Sequence, residues 1–148
     1  MNDKPDFQLQ DFMPYLLNQA AEATSLEFQK AYKLKYGMLR TEWRVLFHLG
    51  RYGDLTAKEV CTRANIHKTK VSRAVAALET RRFIRRAPVE TDRRHALLSL
   101  TKAGMAAFDD LVGEAERYNT RLMQRFSRQE AEIIRRALIR IAAEADAR

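Results

Sequence analysis

Between Thr56 and Thr101 the chain reads as helix, turn, helix and then a short hairpin, an order of elements that few folds accommodate. Thr56-Ala57-Lys58-Glu59 has the form of a capping box, in which the Thr hydroxyl and the Glu carboxylate each satisfy an orphan backbone donor at a helix start. After Ala64-Asn65-Ile66 a further helix is expected from about residue 67 to residue 80. Its Val71, Ala74, Val75 and Leu78 fall at the i, i+3, i+4, i+7 spacing of one buried face. Residues 83–87 and 95–100 read as two strands joined by a loop over 88–94, whose tip carries Asp92-Arg93-Arg94. The pattern predicts a winged helix-turn-helix, and with it binding to double-stranded DNA.

The flanks read as helix. A first helix is expected from near Asp11, with Pro14 tolerated in its first turn, to about Tyr36, where Gly37 supplies a left-handed stop. Thr41 reads as the N-cap of a second, buried helix carrying Trp43, Val45, Leu46, Phe47 and Leu49 and closed by Gly50 and Gly53. Thr101 then caps a long fifth helix in which Phe108, Val112, Ala115, Asn119, Leu122 and Phe126 form a heptad-like seam. Ser127-Arg128-Gln129-Glu130 is a second capping box, opening a last helix with Ile133, Ile134, Ala137, Leu138 and Ile141 on one side. The expected class is mainly α with a small two-stranded β wing, in the order α1-α2-α3-α4-β-β-α5-α6. Residues 1–148 form one unit, with a DNA-binding lobe at 41–101 and a helical dimerisation region at 11–36 and 102–146. The terminal helices carry more apolar face than a small three-helix motif can cover, which argues for a homodimer, a symmetry suited to paired half-sites.

Charge makes the nucleic-acid argument independently. Residues 51–102 hold 13 Lys and Arg against 5 Asp and Glu, so the whole formal excess of +8 sits there, between electrically balanced flanks. A solvated basic surface would also produce such a run, but its confinement to the predicted motif is the footprint of a nucleic-acid module. The single Cys61 excludes an internal disulfide and a thiol-based zinc site, and reads as a small packing residue rather than a redox sensor. No cofactor or metal is implied. His48, His67 and His95 fall on separate elements without a phosphate loop or a nucleophile elbow, so neither an enzyme nor a helical adaptor is indicated. With no signal peptide and no run of about 18 apolar residues, a cytoplasmic location and no membrane partner are expected.

On the outward face of the predicted fourth helix lie Thr69, Arg73, Ala76 and Thr80, flanked by Lys70 and Ser72. Short polar groups with one Arg suit a major groove, where a guanidinium can make a bidentate contact to guanine, although a surface helix with no ligand has a similar face. At the hairpin tip Arg93 and Arg94 are placed to reach a minor groove or flanking phosphates. Asp92 reads either as a carboxylate holding Arg94 or as a turn-forming residue. A non-specific architectural or RNA-binding protein is the competing class; it would fill this face with Lys rather than with Thr69, Ser72 and Arg73.

Three runs then resemble the MarR (multiple antibiotic resistance regulator) family of bacterial transcription factors. They are Thr41-Glu42-Trp43-Arg44-Val45-Leu46, His67-Lys68-Thr69-Lys70-Val71-Ser72-Arg73-Ala74-Val75, and Asp92-Arg93-Arg94 followed by Leu98-Ser99-Leu100-Thr101-Lys102-Ala103-Gly104. The resemblance implies a homodimer that binds a palindromic operator, usually as a repressor, and is released by a small anionic aromatic or phenolic ligand. By the same carry-over Thr69, Ser72 and Arg73 read bases, Lys68 and Lys70 hold phosphates, Arg94 enters the minor groove and Asp92 supports it. The implied ligand pocket lies near Tyr32, Tyr36, Trp43, Phe47, His48 and Phe108, with Arg44 as a carboxylate partner, although an aromatic stripe at helical spacing also reads as core. Two positions depart from the family pattern. Arg82 stands where relatives usually have Gly, and Lys70 where a small hydroxyl residue is commoner.

Overall fold

Helix α1 (Met13–Tyr36) follows a 3-10 turn over Leu9–Asp11, so its start lies two residues beyond the expected Asp11. Phe12 is extended (φ −96°, ψ 108°), which leaves Pro14 in the first turn, where its missing N–H costs nothing. This computed structural model describes residues 6–89 and 92–146, the side chains of 92–95 and 145–146 excepted. The helix ends as expected at Gly37, whose φ of 64° is left-handed and whose N–H donates to the Lys33 carbonyl at 2.9 Å.

Helix α2 (Arg40–Tyr52) corrects two expectations. Its N-cap is Leu39 rather than Thr41, because the buried Glu42 carboxylate accepts from the Leu39 N–H at 2.6 Å and satisfies the helix start without a hydroxyl. It also runs through Gly50 and stops only at Gly53. Gly50 serves packing: a Cβ there would lie 2.3 Å from the Phe108 ring, so the missing side chain makes the notch that admits it.

The Thr56–Glu59 capping box forms as the sequence indicates and starts α3 (Ala57–Ala64). Asn65, left-handed at φ 53°, turns the chain, and α4 (Lys68–Thr80) begins at once, its N-cap His67 accepting from the Thr69 N–H through Nδ1 at 3.2 Å. The sheet has three strands rather than two. β1 (Leu55–Thr56) pairs antiparallel with β3 (Asp92–Leu100), and β3 with β2 (Ile84–Val89), in the order β1-β3-β2. The expected loop over 88–94 is mostly strand, with Pro88 opposite Ala96. β2 is an edge strand, where a residue without an N–H breaks no ladder.

The core gathers Leu46, Val60, Val71, Leu78, Ile84 and Leu98, so the predicted inner face of α4 is buried throughout. Helix α5 (Lys102–Met123) ends before Phe126, and α6 (Arg128–Asp146) starts at the Ser127–Glu130 box. The chain divides into two compact units, Met1–Leu111 and Val112–Arg148. Among the described residues of the second unit none is fully buried. No helix among the described residues is long and apolar enough to cross a membrane.

Candidate nucleic-acid interface

Thr69, Lys70, Ser72, Arg73, Ala76 and Thr80 are all exposed on α4, opposite the buried Val71, Ala74, Val75 and Leu78. The three-residue turn Asn65-Ile66-His67 fixes this presentation, since Ile66 is buried and pins the turn to the core. Lys68 stands in the first turn of α4, also exposed. A helix N-terminus with free-facing short polar side chains can approach a base edge closely, and cations beside it can meet the flanking phosphates. The backbone of Asp92, Arg93 and Arg94 opens β3 at the end of the hairpin, but their side chains lie outside the described residues.

At its other end α4 terminates in a Schellman turn. Arg82 has φ 62°, its N–H donates to the Glu79 carbonyl at 2.9 Å, and the Phe83 N–H donates to the Leu78 carbonyl at 2.9 Å. The departure noted in the sequence is therefore a left-handed turn made with Arg in place of Gly. The turn is seated on the start of α5. The Thr101 hydroxyl donates to the Arg82 carbonyl at 2.6 Å and accepts from the Gly104 N–H at 3.0 Å, while the Thr101 N–H donates to the Phe83 carbonyl at 3.0 Å. Gly104 is required here: a Cβ would stand 1.9 Å from the Phe83 carbonyl oxygen.

The aromatic residues named for a pocket fall into two groups. Tyr32 stacks on Trp43 (centroids 6.0 Å, planes 11° apart), Trp43 meets Phe47 at 5.5 Å, and Phe47 meets both His48 and Phe108 at 6.0 Å. Tyr36 stands apart, edge-on to Phe83 at 6.1 Å, its hydroxyl donating to Asp110 Oδ2 at 2.6 Å beside Lys35 Nζ at 2.7 Å. Burial, and after it the Asp110 carboxylate, push the Tyr36 phenol above its ordinary pKa. Tyr32 is likewise raised by burial, against the opposing influence of Arg40. Arg44 donates to the Ala64 carbonyl, and desolvation, with the Arg40 charge second, lowers its pKa.

Known proteins agree with this arrangement. The MarR family model matches residues 36–95, from the end of α1 through the helix-turn-helix into the hairpin. Over these residues the chain is similar to the MarR family. It is 26% identical over 146 residues, 95% of this chain and 86% of the relative, to the HTH-type transcriptional regulator PecS of Dickeya dadantii. A probable transcriptional regulator from Pseudomonas aeruginosa superposes with a TM-score of 0.80 at 27% identity, covering 90% of this chain and 99% of that one. BpsR of Bordetella bronchiseptica, whose DNA binding is regulated by 6-hydroxynicotinic acid, shares the fold with a TM-score of 0.83 at 20% identity over 92% of this chain and 96% of its own. The relatives that the chain matches are named as helix-turn-helix transcriptional regulators, and the fold is shared with solved structures of such regulators.

Several cations of the basic segment serve the fold itself, which their number in the sequence does not reveal. Arg86 pairs with Glu79 at 2.8 Å, tying β2 to the end of α4. Arg63 lies over the Tyr52 ring at 4.7 Å with Arg51 at 5.7 Å, joining α3 to the end of α2. Arg81 turns away from the outward face of α4 and donates to the Gly37 and Tyr36 carbonyls. The residues that Arg63, Arg81 and Arg86 meet lie beyond the i+4 reach of helical spacing, so periodicity carried no signal for them.

Proposed function

We propose that this chain is a homodimeric repressor of the MarR type that reads a palindromic operator with α4 and leaves it when a small aromatic carboxylate binds beside α2. The observation carrying the DNA half is the exposed face of Thr69, Ser72 and Arg73 above a fully buried inner face. Thr69, Ser72 and Arg73 read base edges, and Lys68 and Lys70 hold phosphates. Lys70 adds one phosphate contact per subunit beyond the family pattern, which steepens the salt dependence without altering sequence preference. Arg94 enters the minor groove, with Arg93 near the flanking phosphates and Asp92 in support.

The dimer is supported by apolar surface: Phe7, Leu9, Phe12, Met13 and Leu16 at the N-terminal end, and Ile133, Leu138 and Ile141 on α6, are exposed in the single chain. The ligand reading rests on the ring cluster of Tyr32, Trp43, Phe47, His48 and Phe108 with Arg44 alongside, and on the hydroxylated aromatic acid to which BpsR responds. Tyr36, four residues along α1 from Tyr32, lies edge-on to Phe83 just beyond the end of α4.

Selection of bound duplexes from a random pool at fixed salt tests the reading. Enrichment of a palindrome with half-sites about one helical turn apart is expected, and aromatic acids should then release it. Salt-sensitive binding without enrichment would favour a non-specific architectural protein.

A further inference from the structure

We propose that Arg81 is a positioning residue for DNA recognition: it touches no base or phosphate, yet sets the angle at which α4 presents its reading face. Arg81 is the C-cap of α4, and its Nη1 donates to the Gly37 carbonyl at 2.5 Å and to the Tyr36 carbonyl at 3.3 Å. The same nitrogen lies 3.8 Å from Glu42 Oε1, a carboxylate with 4% side-chain exposure whose other oxygen accepts from the Leu39 N–H. One guanidinium therefore meets the negative C-terminal end of α1 together with a buried carboxylate at the start of α2.

Both α2 and α4 also contribute to the apolar core, through such residues as Val45, Leu49, Val71 and Leu78. Apolar contact fixes how closely two helices approach but is non-directional, whereas hydrogen bonds at one end are directional. A helix of 13 residues such as α4 spans about 20 Å, so a tilt of roughly 10° at Arg81 moves its other end by about 3 Å. A displacement of that size breaks a base-edge hydrogen bond at Thr69, Ser72 or Arg73. Adjacent residues reinforce the joint: Phe83 lies edge-on to Tyr36, and the Arg82 carbonyl is held by Thr101.

The inference rests on operator reading by α4, so the wild-type preference for the selected duplex over a scrambled one is measured first; its absence would fail that reading and not this residue. In the full-length protein Arg81→Ala should weaken binding to the selected duplex about tenfold while leaving the scrambled duplex and the slope of log affinity against log salt unchanged. Arg81→Lys, which keeps the charge but loses the planar fork, should recover part of the loss. If Arg81→Ala does not fold because the Glu42 carboxylate is left buried without its partner, the double variant R81A/E42Q removes that charge and carries the same expectation. A salt slope reduced by about one phosphate would make Arg81 a direct contact and overturn the proposal. So would an equal loss on both duplexes, or unchanged or tighter binding to the selected one.

Discussion

Arg82 occupies a left-handed turn (φ 62°) that glycine adopts without a Cβ penalty. The two backbone hydrogen bonds that close the turn do not involve its side chain, so they survive a substitution. Arg82→Gly should therefore raise stability by about 0.5–1 kcal/mol, less than the full left-handed penalty because glycine also gains freedom in the unfolded chain. Thermal unfolding should show a melting temperature about 1–4 °C higher, and a fall would contradict the account. Gly104→Ala should act in the opposite sense. Its Cβ would meet a backbone oxygen at 1.9 Å, a neighbour that cannot rotate away, and a loss of at least ~2 kcal/mol in denaturant titration is expected. The first of these residues was legible in the sequence, as an Arg where the family pattern has Gly. The second was not, since nothing local to Gly104 announces the approach of Phe83, and the same holds for Arg81 and Gly37, 44 positions apart.

Among the elements, α4 has the most direct test. Arg73→Ala should cost about 1–3 kcal/mol of specific DNA affinity in a binding titration and leave self-association alone; unchanged specific binding would remove Arg73 from the reading face. The start of α6 offers a pH-dependent one. Hydrogen bonds from the Ser127 backbone, and secondarily its hydroxyl, hold the Glu130 carboxyl below its ordinary value of 4.5. A depressed folded-state value means the stabilisation is complete above 4.5 and disappears as pH falls through the lowered one. The melting temperature of Glu130→Gln should accordingly lie below wild type at neutral pH and converge with it in acid. Both capping boxes were readable because their partners are three residues apart. Thr41 misled for a related reason: a hydroxyl marks a helix start well, but the buried Glu42 had already satisfied the Leu39 donor. Pro88 misled because a missing N–H ends a central strand, not an edge one.

For the molecule as a whole, the apolar residues left exposed on a single chain are the informative feature. A homodimer predicts a sedimentation coefficient that falls on dilution, and Leu138→Glu, which would bury a charge without a partner, should weaken association by about 3 kcal/mol or more. A monomer at every concentration would refute the dimer. Composition and the excess of helix surface hinted at this scale, whereas the aromatic contacts did not follow from spacing: Tyr36, on the same helix as Tyr32, joins Phe83 and Asp110 instead.

The contact between Thr101 and Phe83 has a mechanical meaning. Ile84 pairs with Leu100 in the hairpin, so the hydrogen bond from Thr101 to the Phe83 carbonyl is the next rung of the same ladder, made by the residue that also begins α5. The wing is consequently a lever with its fulcrum inside the protein. Force carried along the paired parts of β2 and β3 is delivered to the first turn of α5 and to the end of α4 together.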